Sequence, residues 1–282
     1  MTEGEAAPAT AAEQGSRNLL LRTIVAIVLA PTALAMAYAG GVLWAMLVTA
    51  ASVGLFVEWL LVVGALHDRR VATIGSVALS LSGVGFAAGR IDAALAVLVL
   101  GGAATAWFSR PHWSWNAAGF GYAAAAEIAA IAVRLDRGYG FVALVLILLV
   151  VWVTDIGGYF AGRGIGGAKL WPRISPKKTW AGAIGGFVAS LAVAAGFAAL
   201  GVGQPLALVL LSGLMSIVSQ LGDLFESAVK RRFGVKDSSH LIPGHGGLLD
   251  RLDGLVAALV LAAILGFFRG GVDGVGRGLM VW

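Results

Sequence analysis

The 282-residue chain is 59% hydrophobic and only 12% charged, against about 25% charged in an ordinary soluble domain. With a mean hydropathy of +0.89, that composition excludes a water-soluble enzyme core and fits an all-α, polytopic membrane protein. The absence of cysteine excludes disulfide frameworks, thiol catalysis and cysteine-held metals, and 20 basic against 15 acidic residues is a topology signal rather than a nucleic-acid footprint.

Residues 1–18 are polar, Ala/Pro-rich and acidic, and read as a disordered cytosolic tail. The first apolar run, 19–39, contains Ala33-Leu34-Ala35, which imitates a signal-peptidase site. The acidic leader and Arg22 within the run favour a retained anchor instead. Further apolar runs follow at 41–65, 71–89, 91–108, 117–133, 139–157, 180–201, 205–222 and 254–269, with Gly54 a candidate kink in the first of them. Only helices satisfy the backbone in lipid, so the expectation is about nine transmembrane helices. If they alternate from an inside N-terminus, the inner segments hold Arg17, Arg69, Arg70, Arg110, Arg163, Lys169, Arg173, Lys177, Lys178, Lys230, Arg231, Arg232, Lys236 and Arg251. Arg22 lies close to that face. Arg90, Arg134, Arg137, Arg269 and Arg277 remain outside, and this bias predicts N-in, C-out. The chain divides into N-terminal helices (19–140) and a catalytic region (141–282) with inner loops at 161–179 and 223–253.

These two loops carry the chemistry. Asp223, Glu226, Ser227 and Lys230 fall at i, i+3, i+4 and i+7, one stripe if the eighth helix continues past the membrane surface. The stripe suits a divalent cation with a bound phosphate; it also describes a solvated helix end laced with ion pairs. Asp250 and Asp253 share a face at the next helix entrance, after a Gly-rich turn around His245. Acids there also stabilise a helix N-terminus by themselves. Hard oxygens at two facing helix ends suit Mg²⁺. In the first loop, Ser175-Pro176 reads as a helix start, Ser capping and Pro at the first helical position. Lys177 and Lys178 beside it would form an anion site, or merely a positive-inside anchor. Glu58, Glu127 and Asp155 lie in apolar runs, should face the interior and pair, and Asp155 is nearest both loops.

Ser227-x-Val229-Lys230-Arg231, Lys236-Asp237, Pro243-x-His245-Gly246-Gly247 and Asp250-Arg251-x-Asp253 together closely resemble the signature of the phosphatidate cytidylyltransferase (CDP-diacylglycerol synthase) family. Asp155, Tyr159, Gly162 and Ser175-Pro176-Lys177-Lys178-Thr179 look like that family's second motif. The likeness covers about 150–255, and it departs where family members often carry Glu and this chain has Ala181. The resemblance implies CTP and phosphatidate as substrates, CDP-diacylglycerol and pyrophosphate as products, and Mg²⁺ with a monovalent cation such as K⁺ beside it. It further implies a homodimer in the bacterial inner membrane. On this reading Asp223, Asp250 and Asp253 hold the metal and, with Lys230, form the catalytic set. Ser227 and Lys230 belong to the phosphate site. Lys177, Lys178 and Arg231 screen pyrophosphate, and Ser175, Lys236, His245 and Asp155 complete the substrate contacts. The rival readings are a CTP-using lipid kinase of the polyprenol or phytol type, and a transporter using the intramembrane acids.

Overall fold

A computed structural model describes residues 27–109, 113–239 and 246–282. The expected tail (1–18), the start of the first apolar run, Arg17, Arg22, Arg110, His240 and His245 lie outside the described residues. Among the described residues the fold is all-α apart from one small hairpin. Helix α1 (Ile27–Ala39) is followed by eight helices long and apolar enough to cross a membrane: α2 (Gly41–Val62), α3 (Arg69–Ala87), α4 (Ile91–Phe108), α5 (Trp113–Leu135), α6 (Gly140–Gly164), α7 (Trp180–Ala199), α8 (Pro205–Arg232) and α9 (Leu249–Gly270). Helix α2 runs unbroken through Gly54, whose missing Cβ leaves room for Leu248. Helix α8 extends to Arg232, ten residues past the apolar run, so the expected stripe is helical. After α9, a short turn leads into α10 (Val275–Met280), which packs on α9 and α6. Nothing in the hydropathy pattern announces it.

Helix α5 is the hub, packing on α2, α4, α6, α9 and α10. One apolar core gathers α5, α6, α8, α9 and α10; the other gathers α2, α3 and α5 with the neighbouring ends of α8 and α9. The proposed boundary near residue 140 therefore separates sequence segments that share both cores. Buried Glu127 is satisfied inside the second core, accepting hydrogen bonds from Thr49 Oγ1 and Ser82 Oγ, each at 2.9 Å.

Two close helix contacts set up the site. Helices α6 and α7 meet along small residues: a Cβ on Gly182 would come 2.9 Å from Gly158 O, and one on Gly186 would come 2.6 Å from Thr154 O. Such backbone approach is how helices gain packing contact where no hydrophobic effect drives them together. Helices α8 and α9 meet the same way, Gly222 against Asp253 O (2.8 Å) and Gly254 against Ser219 O (3.0 Å). Each of these glycines directly adjoins an aspartate, Asp223 or Asp253, so the crossing point brings those two acids side by side.

The segment joining α6 to α7 is a hairpin, β1 (Lys169–Trp171) against β2 (Ser175–Thr179), antiparallel with Lys169 opposite Thr179. The expected helix start at Ser175-Pro176 is thus displaced. Thr179 caps α7 instead, its hydroxyl accepting from Gly182 N at 3.1 Å. Two capping sequences stand four residues apart, and pairing with β1 favours the second. Pro176, which lacks an N–H, is tolerated because this two-stranded sheet is all edge.

Candidate active site

Lys177 and Lys178 therefore sit on a strand rather than on a helix N-terminus. Adjacent strand residues face opposite ways: Lys177 is exposed, whereas Lys178 turns inward and pairs with Asp223. Asp223 also accepts a long hydrogen bond from Ser227 Oγ (3.4 Å). Asp253 lies within electrostatic reach of Asp223, Asp155 and Lys178. Three carboxylates here face one ammonium.

Asp250, expected as a third metal ligand beside Asp253, belongs to a different network. Its Oδ1 lies 2.5 Å from Lys230 Nζ, and its Oδ2 accepts from Ser238 N (3.1 Å), Ser238 Oγ (3.1 Å) and Gly247 N (3.2 Å). Both oxygens accept from protein donors, and Asp250 thereby ties the α8–α9 connection together. The Lys230 ammonium lies between Asp250 and buried Glu226, 2.7 Å from Glu226 Oε2, at the edge of the cavity described below. The α8 stripe exists but splits into two i,i+4 pairs, Asp223–Ser227 and Glu226–Lys230.

Of the remaining expected residues, Arg231 donates to Val235 O (2.8 Å) at the helix end, Lys236 is exposed, and Ser175 is half-buried in β2. Of the three intramembrane acids, Glu127 and Glu58 are buried as expected, but Asp155 opens onto a cavity.

That cavity, partly open and about 1010 Å³, joins two surfaces of opposite character. At one end are Asp155, Asp223 and Asp253, with Glu226, Lys230 and Asp250 behind them. From there an apolar trough runs between α1 (Leu29, Ala33, Ala37), α2 (Trp44, Val48, Ala51), α6 (Leu148, Trp152) and α9 (Leu255, Leu259). Residues 44–55 of α2 alone span roughly 16 Å of rise.

No three metal-ligating side chains converge on one point among the described residues. The donor set nevertheless fits a hard divalent ion, which is usually held by one or two carboxylates together with substrate phosphates. Asp223, Asp253 and Asp155 gather beside Lys178, and all three are oxygen donors.

Glu58 is the residue that sequence reasoning left without a role. Its carboxylate, 1% exposed, accepts hydrogen bonds from Ser238 Oγ (2.8 Å), Ser239 Oγ (2.6 Å), Leu248 N (2.8 Å) and Leu249 N (2.7 Å). Its burial cost was the available signal; its partners were hidden by their distance along the chain.

A helix bundle of membrane type that sets carboxylates at the head of an apolar trough suits an integral-membrane enzyme, and the family comparison agrees. The cytidylyltransferase family matches residues 20–268, and the chain belongs to that family. It is 41% identical over 266 residues to the phosphatidate cytidylyltransferase of Brucella suis biovar 1 (strain 1330), an overlap of 88% of this chain and 93% of that one. Proteins of the same name from Haemophilus influenzae and Bacillus subtilis are 43% identical over 139 residues and 46% identical over 123 residues. These two overlaps cover 47% and 43% of this chain, and 48% and 45% of the relatives.

Proposed function

We propose that the protein transfers the cytidylyl group of CTP to phosphatidate, releasing pyrophosphate and leaving CDP-diacylglycerol in the membrane. The observation that carries this reading is the continuity of the cavity: the acidic cluster and the apolar trough are two ends of one space. A lipid with its acyl chains in the trough presents its head at Asp155, Asp223 and Asp253.

Phosphatidate's phosphomonoester carries about −1.5 to −2 charge near neutral pH, as phosphoserine does, so its oxygen is already a nucleophile and needs no general base. That oxygen attacks the α-phosphorus of CTP in line; the new phosphorus–oxygen bond forms as the α–β bridging bond breaks, and pyrophosphate leaves with the electron pair. The difficulty is bringing two anions together, which positioned charge relieves. Lys178 supplies an ammonium through its pairing with Asp223, and exposed Lys177 offers a second on the same strand. Mg²⁺, held by Asp223 and Asp253 with Asp155 alongside, would neutralise the triphosphate when bound. The cation-rich hairpin side is proposed to face the cytoplasm, in keeping with the preference of Lys and Arg for that side of a bacterial inner membrane.

The test is purified protein with phosphatidate, Mg²⁺ and CTP labelled at the α-phosphorus. Label in a lipid and stoichiometric pyrophosphate are expected. Release of labelled CDP with no labelled lipid would mean that the γ-phosphate moves instead, as in a lipid kinase.

A further inference from the structure

Helix α9 begins at Leu249 without a capping side chain of its own: Leu248 occupies the cap position and offers no acceptor. The first N–H groups of a helix need a partner when buried. Here the partner comes from the other end of the sequence. Glu58, in the last turns of α2, accepts Leu248 N at one oxygen and Leu249 N at the other. It is a bidentate cap delivered across 190 residues, and its negative charge sits at the positive end of the α9 dipole. The same two oxygens take the hydroxyls of Ser238 and Ser239, the last described residues before the connection resumes at Gly246. Ser238 Oγ lies between Glu58 Oε2 and Asp250 Oδ2, so the cap and the Asp250–Lys230 network share one hydroxyl. Gly247 fits because it has no side chain: a Cβ there would meet Ser238 Oγ, and would stand 2.7 Å from Glu58 Oε2.

We infer that Glu58 is a positioning residue for cytidylyl transfer, fixing the start and rotation of α9 so that Asp253, one turn further on, faces Asp223. It touches no substrate; it acts through the helix it caps. This inference rests on the proposed reaction for its kinetic arm only.

The test uses the full-length protein in lipid nanodiscs, as wild type, Glu58→Gln and Ser239→Ala. Glutamine keeps the shape but turns an NH₂ toward one of the two backbone donors; Ser239→Ala removes the hydroxyl that donates to Glu58 Oε1 and leaves the carboxylate in place. In Glu58→Gln, hydrogen exchange at the Leu248 and Leu249 amides should accelerate at least tenfold while α5 is unchanged. The kcat per folded enzyme should fall about 10- to 100-fold, the range for supporting-shell changes, with KM for CTP within about twofold. Ser239→Ala should repeat this pattern in miniature, which covers the case of a glutamine variant that does not fold. Unchanged exchange at those amides would overturn the clasp itself. A variant that loses folded yield but keeps wild-type kcat per folded molecule would overturn the positioning role. A wild-type protein that makes no lipid-linked CDP would instead remove the proposed function, leaving the exchange result to stand by itself.

Discussion

Asp250 and Asp253 are one helical turn apart at the start of α9, yet they enter opposite environments. Asp250 is closed in: Lys230, Ser238 and Gly247 occupy both of its oxygens. Asp253 opens to the cavity beside Asp155 and Asp223, with Lys178 in electrostatic reach. In the first cluster both Asp250 oxygens are met by protein donors, while Glu226 beside it keeps an oxygen without a hydrogen-bond partner among the described residues; the second has more carboxylates than nearby cations and can take positive charge from a ligand. Residue type and spacing are the same in both cases. The number of protein donors separates them: Asp253 Oδ1 accepts from Gly254 N at 2.7 Å, whereas Asp250 is met on both oxygens.

The largest effect that would sharpen this contrast is Asp253→Asn. Turnover should fall more than about 100-fold, beyond the range for a mere supporting residue, while the melting temperature in detergent stays near wild type. Activity near wild type would dissolve the distinction. Lys230→Ala should do the reverse. Removing the partner of a buried pair costs about 3–5 kcal/mol, and here it strands both Glu226 and Asp250, so thermal unfolding in detergent should show a large loss of stability. A stable but inactive protein would return Lys230 to the substrate site. Lys178→Ala should lower kcat/KM for CTP about tenfold with little change in stability, because this pair is partly exposed and such pairs contribute 0–1 kcal/mol. The smallest effect belongs to the trough. Ala33→Phe or Ala51→Phe should disfavour long-chain against short-chain phosphatidate by several-fold, at about 0.8 kcal/mol for each methylene kept from burial. Equal loss with both lipids would remove those alanines from the acyl path.

Much of this architecture was legible in the chain. Hydropathy located α2 through α9 to within a few residues at most ends, since the requirement that a backbone in lipid bond to itself leaves little choice. It placed the C-terminal ends of α6 and α8 and the start of α9 less well, because all three continue into polar sequence that a hydropathy reading treats as loop. The Ser175-Pro176 helix start followed a sound capping rule and missed because Thr179 satisfies the same rule and the hairpin decides between them. The partners of Asp250 and Lys230 were not legible for another reason. Helical spacing says which side chains share a face, but not which donors another segment will bring, and Ser238 arrives from the connecting loop. Glu58 is the extreme case, its partners lying 180 to 191 positions away.

The trough between α1, α2, α6 and α9 also governs how such an enzyme experiences its substrate. A lipid that enters along that groove never dissolves in water, so its relevant abundance is a mole fraction in the leaflet rather than a molarity. Diluting the target lipid with inert phospholipid at constant total amount should slow the reaction, whereas adding more vesicles of unchanged composition should not. CTP, arriving from solution, would follow ordinary bulk saturation, and the two substrates of a single turnover would obey different concentration scales.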